Sequence, residues 1–333
     1  MAISAKSAPD MHPQDWLLLV FLSVLWGGSF FFVGVALREL PPATIVLARV
    51  ALGALMLVPL VRVFGGKLPR RATDWLPYAV MGLLNNVIPF SLIATGQTYI
   101  TSGMASVLNA TTPLFTALVL AGFRDERLNA RRVAGVLIGI AGVIILRQPG
   151  PASSDQAIGI FLCLGAALSY GFSGLWARRK LAGVPPVMSA TGQLVCSSLM
   201  MVVIAGAVDR PWTLRLPGPA TWLSLIAIAA FSTALAYVVF FRIIERSGAS
   251  NVMLVTLLIP VTAILLGWLV LGEPLAPREI AGALVIASAL LVIDGRLFGW
   301  LRRPARREVP QLASAWRFLY LPVRRLPAFV GSE

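Results

Sequence analysis

The stretch SGMASVLNATTPLFTALVLAGFRDERLNARRVAGVLIGIAGVIIL, Ser102 to Leu146, decides the reading of this chain, because most of it is written twice. Moved along by 147 positions without a gap, it sets Pro113 on Pro260, Leu118 on Leu265, Glu126 on Glu273, Leu128 on Leu275, Arg131 on Arg278, Ala134 on Ala281, Gly135 on Gly282 and Leu137 on Leu284. Apolar composition alone matches leucines; it does not readily match a Pro, a Glu, an Arg and a Gly in one register. Each copy is an apolar segment interrupted by a proline, a short loop carrying Glu, and a second apolar segment rich in small residues. A duplicated helix, loop and helix of this kind marks an internally repeated membrane protein.

Composition agrees. Of 333 residues, 58% are hydrophobic and 13% charged, and the mean hydropathy is +0.83, far from the balance of a water-soluble domain. The net charge of +14 would point to nucleic acid in a soluble protein. Here the basic residues punctuate apolar runs of roughly 20 residues, so they set topology and no nucleic-acid partner is expected. Cys163 and Cys196 each lie inside an apolar run, which indicates neither a disulfide framework nor a metal cluster.

The expected fold is an all-α membrane protein of ten transmembrane helices. The spans fall at about 16–37, 42–64, 73–94, 100–123, 130–147, 156–177, 186–208, 219–241, 247–271 and 277–298, placed by the length that crosses the hydrocarbon core. Residues 1–15 form an N-terminal tail, 16–147 the first five-helix repeat, 148–155 a linker, 156–298 the second repeat and 299–333 a basic C-terminal tail. The first apolar run is too long for a signal peptide and lacks a small-residue cleavage site, so it is expected to stay in the mature protein.

A cytoplasmic N-terminus gathers Lys6, Arg62, Lys67, Arg70, Arg71, Arg124, Arg127, Arg131, Arg132, Arg178, Arg179, Lys180, Arg242, Arg246 and the basic residues of the tail on the inside. It leaves Arg38, Arg147, Arg210, Arg215 and Arg278 outside, a split that places both termini in the cytoplasm. Five spans per repeat is an odd number, so the second copy enters the membrane upside down relative to the first. Inverted repeats of this type suit alternating access. The first spans match as well, at an offset of 144: Gly27 with Gly171, Ser29 with Ser173, Pro41 with Pro185 and Pro42 with Pro186.

The run Thr233 to Leu275, its first-copy counterpart through Pro113 and Glu126, and Leu25-Trp26-Gly27-Gly28-Ser29-Phe30 resemble the two EamA domains of the drug/metabolite transporter superfamily. The resemblance covers roughly residues 16–298. It implies ten helices and movement of small metabolites across a bacterial cytoplasmic (inner) membrane, often outward export of amino acids or related solutes, with no cofactor. The first copy has Asp125-Glu126 where the family's turn, and the second copy's Gly272-Glu273, carry glycine.

Arg49 is the one ionised side chain set well inside a span, about seven residues or ~10 Å from the end of the second. A charge at that depth is costly unless it meets water or a partner, which makes Arg49 a candidate anchor for a substrate carboxylate or phosphate; the alternative is an arginine that snorkels or bonds helix carbonyls. Its repeat partner is Gln193. Asn85, Asn86, Asn109, Ser232, Thr233 and Thr256 fall at matching depths. Asn109 and Thr256 each precede a helix-kinking proline, Pro113 or Pro260, by four residues, where the missing N–H frees a carbonyl for a solute. Trp26 with Tyr170, and Phe90 with Tyr237, are repeat pairs that are candidates for lining the same path; aromatic packing is the other reading.

Glu126 and Glu273 are read as caps on the helix that follows each of them. Gly27, Gly135, Gly139, Gly142 and Gly282 are expected at close helix crossings. Gly171-Phe172-Ser173-Gly174 resembles the Gly-x-Ser-Gly of intramembrane serine proteases, yet the sole histidine, His12, lies in the tail, so no base serves the serine and no enzyme is expected. No ligand cluster for a metal is present in the sequence. All carboxylates lie in tails, loops or span ends, which points to transport driven by the solute's own gradient. After the last span, Arg302, Arg303, Arg306 and Arg307 followed by Trp316, Phe318 and Tyr320 fit a short amphipathic segment on anionic lipid.

Overall fold

The computed structural model describes residues 12–63, 69, 71–125, 129–146, 153–247, 249–252 and 254–294. Every regular element among them is helical. The passes are α1 (Pro13–Ala36), α2 (Pro42–Val63), α3 (Ala72–Gly96), α4 (Ser102–Gly122), α5 (Ala130–Leu146), α6 (Ser153–Lys180), α7 (Pro186–Val208), α8 (219–247), α9 (Val255–Leu271, after the short turn Ala249–Val252) and α10 (Pro277–Asp294). Seven of them, α1–α4 and α6–α8, are long and apolar enough to cross a bilayer. Proline is the first residue of five of the ten passes, α1, α2, α7, α8 and α10, where its missing N–H costs nothing. The expected spans agree to within a few residues, except that α6 and α8 run on past the apolar core and α9 begins at Val255, behind the short turn Ala249–Val252, where the expected span began at 247.

The packing repeats with the sequence. Helix α2 lies on α7, and α5 on α10, each against its own counterpart. Helix α1 packs on α8 and α9, and α6 packs on α3 and α4, so the halves exchange equivalent contacts. The start of α1 meets the end of α8 through Asp15 and Arg246, 2.8 Å apart. The equivalent start of α6 meets the end of α3, where Gly159 lies against Ile100 and Tyr99. Three passes separate these two places along the chain, so they lie on opposite faces and the second repeat is inverted.

Glycine makes the symmetric crossings possible. A Cβ at Gly27 would come within 2.9 Å of the Ile259 carbonyl, and one at Gly171 within 3.2 Å of the Phe115 carbonyl, so α1 on α9 and α6 on α4 use equivalent residues. Gly135 likewise abuts Ile293 while Gly282 abuts Leu146. In lipid, where apolar side chains gain little by leaving their surroundings, such backbone approach is a main source of helix association.

Carboxylates join the two repeats at both faces. On the face opposite the start of α1, Glu39 accepts from the Gly218 N–H and the Thr221 hydroxyl, both at 2.7 Å, at the head of α8. Asp209 accepts from the Thr44 N–H and hydroxyl at the head of α2. Glu273 accepts from the Ser102 N–H at 2.9 Å, its hydroxyl at 2.7 Å and the Gly103 N–H at 3.4 Å. Glu273 thus caps α4 of the other repeat and not the helix that follows it, α10. The reason is geometric: α9 and α4 pack together, which sets the free N–H groups of α4 beside the end of α9. At the N-terminal face Arg179 pairs with Asp125. Glu126, the side chains of Glu245 and Asp294, and the proposed lipid-binding tail lie outside the described residues.

Of the two equivalent turns, one departs from what the sequence leads one to expect. Gly272 takes a left-handed backbone at φ 71°, and Arg124 does the same at φ 60°. The first copy therefore makes its tight turn without glycine, one position earlier, with the Arg124 N–H on Ala121 and the Asp125 N–H on Leu120.

Candidate functional site

Helices α3 and α8 each contain a π-helical turn, Leu83–Val87 and Ala230–Leu235, at positions equivalent in the two repeats. No apolar periodicity announces them. A π-turn widens the helix and re-aims its side chains, and such turns are frequent at functional sites. These two carry Asn85 and Asn86 in one repeat, Ser232 and Thr233 in the other. A third lies at the end of α9, Gly267–Leu271.

The first two π-turns each meet the second helix of the opposite repeat. On α7, Gln193 is buried and its Oε1 accepts from Asn85 Nδ2 at 3.0 Å, while Ser197 Oγ accepts from Asn86 Nδ2 at 3.0 Å. On α2, the equivalent residues are Arg49 and Gly53. Arg49 Nε reaches Thr233 Oγ1 at 3.4 Å, and Gly53 makes room, since a Cβ there would stand 3.0 Å from Thr233 Cγ2. Thr233 in turn donates to the Ile228 carbonyl at 3.0 Å. The same helix crossing is thus built twice, once with two amide hydrogen bonds and once with a single contact from a cation.

Arg49 stands where α2, α3, α6 and α8 converge. Its guanidinium carbon lies 3.8 Å from the centroid of the Phe90 ring, and Tyr170 and Tyr237 are close enough to interact with it electrostatically. Among the described residues no carboxylate pairs with it. Asn85 ties in the remaining aromatic wall: its Nδ2 also approaches Tyr237 Oη at 3.5 Å, and its Oδ1 lies 3.1 Å from Ser173 Oγ. Ser173 also reaches the Tyr170 carbonyl at 2.8 Å. The serine of the protease-like motif is thus a helix-binding hydroxyl, and Gly171 beside it is a crossing residue.

The other candidates make other contacts. Trp26 stacks on Phe240, with centroids 5.3 Å apart, in the apolar cluster of α1, α8 and α9. Asn109 lies at the break in α4, where the helix stops at Asn109 and restarts at Thr112 ahead of Pro113. The carbonyl that Pro113 frees is not left for a solute, because Thr112 Oγ1 donates to it at 2.7 Å. Asn109 Oδ1 and Asn86 Oδ1 are buried without a protein partner. Thr256 is half-buried on α9, one turn before Pro260. Among the described residues no cluster of His, Cys, Asp or Glu fits a metal ion.

Comparison with known proteins follows the same division. The model of the EamA-like transporter family matches twice, at residues 15–148 and 157–294. The uncharacterized transporter YvbV of Bacillus subtilis is 27% identical over 278 residues, 84% of this chain and 90% of its own. The uncharacterized inner membrane transporter YedA of Escherichia coli is 26% identical over 285 residues, 84% of this chain and 91% of its own. One crystal structure superposes with a TM-score of 0.60 at 18% identity, covering 84% of this chain and 96% of that one, which is a likeness of fold. Two matched copies spanning an all-helical, internally repeated membrane protein make this chain a member of the EamA-like transporter family.

Proposed function

We propose that this protein is a secondary transporter that moves a small polar metabolite, an amino acid or related solute, outward across the bacterial cytoplasmic membrane by alternating access. Both termini are then cytoplasmic. What supports the reading most is the polar contact at two equivalent helix crossings between opposite repeats, Arg49 with Thr233 at one, and Gln193 and Ser197 with Asn85 and Asn86 at the other. A buried polar cluster shared by two inverted repeats has the arrangement that alternating access needs, since the same contacts exchange roles when one repeat rocks on the other. Family membership and the names of the relatives YvbV and YedA favour transport over catalysis.

The test is uptake and counterflow of a metabolite panel in proteoliposomes. Saturable uptake with trans-stimulation supports a carrier. Linear, non-saturating flux identifies a pore and ends the alternating-access reading. Reporter fusions after Arg71, Arg132, Arg179 and Arg246 are expected to be cytoplasmic, and those at Gly150 and Pro217 external.

A further inference from the structure

The two equivalent crossings are not equally bonded. Where α3 meets α7, Asn85 and Asn86 close the contact with two hydrogen bonds of 3.0 Å. Where α2 meets α8, one long contact of 3.4 Å from Arg49 Nε to Thr233 is all that joins the polar groups among the described residues. Arg49 has its Nε turned to Thr233 and its guanidinium carbon 3.8 Å from the centroid of the Phe90 ring. Among the described residues, no acceptor bonds to the Nη1 and Nη2 groups, its end-on fork. A planar fork of this kind matches the two oxygens of a carboxylate, which also neutralises the charge.

From this geometry we infer that the transported solute carries a single carboxylate, bound end-on by the Arg49 fork, and that this carboxylate supplies the link missing between α2 and α8. The inference rests on the transport reading and narrows its substrate class. Charge sets the limit. Arg49 is the one cation deep in the described helices, and its repeat partner is the neutral Gln193, whose Oε1 is engaged by Asn85. A dicarboxylate or a phosphate dianion would bring a second charge into the membrane interior with no cation to meet it. An organic cation would meet an unpaired arginine, and the described carboxylates Asp15, Glu39, Asp74, Asp125, Asp155, Asp209, Glu273 and Glu279 all stand at or beside helix ends. Monocarboxylates and zwitterions with one carboxylate remain.

The experiment is ligand-induced thermal stabilisation of the purified full-length protein in detergent, with a panel built on charge. Each class has a polar and an aromatic member: lactate and phenylacetate, alanine and phenylalanine, malate and phenylsuccinate, ethanolamine and phenethylamine, glycerol and benzyl alcohol. Stabilisation is expected only among the first four. Arg49→Gln should weaken the best of them by about 10- to 100-fold, the worth of hydrogen bonds to a charged group. Arg49→Lys keeps the charge without the fork, should bind at an intermediate level, and serves where Arg49→Gln does not fold. Binding of a dicarboxylate, amine or alcohol as tight as the best monocarboxylate overturns the inference, and so does stabilisation by none of the first four. Binding without uptake in proteoliposomes would end the transport reading and leave this one standing. Uptake of a solute without a carboxylate, unchanged in Arg49→Gln, would do the reverse.

Discussion

The carboxylate of Asp209 accepts both the backbone N–H of Thr44, at 2.7 Å, and its hydroxyl, at 2.9 Å. Asp209 ends α7 and Thr44 begins α2, so a residue of one repeat caps a helix of the other. Glu39, between α1 and α2, returns the bond to the head of α8. The two hairpins are clasped reciprocally. Asp209→Ala should lower stability by ~1 kcal/mol, the usual worth of a helix cap. Thermal unfolding in detergent measures it, and an unchanged midpoint would show that the clasp is incidental.

Acid should loosen the clasp at Glu39. Hydrogen bonds from the Thr221 hydroxyl and the Gly218 N–H hold its carboxyl below the usual value of 4.5. With the folded-state pKa depressed, the stabilisation is complete above the unfolded value and is lost as pH falls through the lower, folded value. Asp125, held below 3.8 by Arg179, acts in the same direction at the other face. Stability should therefore be flat with respect to these two groups from pH 7 to about 5 and decline only below that. Glu39→Gln should reduce the acid-side slope; if the slope stays as steep, Glu39 does not contribute to it.

The contact of α5 with α10 should resist even a methyl group. A Cβ at Gly142 would stand 2.7 Å from Ile286 Cγ1 and 3.1 Å from its backbone N, whereas one at Gly122 meets nothing within 4 Å. Gly142→Ala is expected to cost about 1–3 kcal/mol by overpacking, while Gly122→Ala stays neutral or gains slightly from helix propensity. Equal melting temperatures for the two would contradict this account of the crossing.

The two tight turns respond oppositely to exchange of their left-handed residue. Gly272→Ala puts a Cβ at φ 71° and should destabilise by ~1 kcal/mol. Arg124→Gly relieves φ 60° and should stabilise, by less than that, because glycine also loosens the unfolded chain. Shifts of the same sign would refute the equivalence.

Asn85 holds α6, α7 and α8 on α3. Removing its amide in Asn85→Ala leaves Gln193 Oε1 buried and unpaired, at a cost of about 1–3 kcal/mol. Asn85→Asp should be no better, since a carboxylate facing Gln193 Oε1 has no proton to donate. A stable Asn85→Asp would show that the amide does not depend on that bond.

Much of this molecule follows from the chain read as a string. Two ungapped registers, 147 and 144, dictate two repeats, and an odd number of spans in each makes the second inverted whatever the side chains do. Apolar runs locate the helices because the bilayer demands a length, and Arg49 stands out because a charge at that depth has few alternatives. The π-turns were not legible, because one inserted residue per turn leaves apolar composition unchanged. Nor was the target of Glu273: a carboxylate caps whichever helix end lies nearest in space, and that is α4 only because α9 packs on α4. The same holds for the carbonyl before Pro113, which proline chemistry frees but a neighbouring hydroxyl reclaims. Local sequence determined which groups exist and at what depth, since span length and repeat register are properties of the chain alone. Tertiary structure decided which of them meet, because every hydrogen bond between two side chains at the centre joins residues more than 80 positions apart.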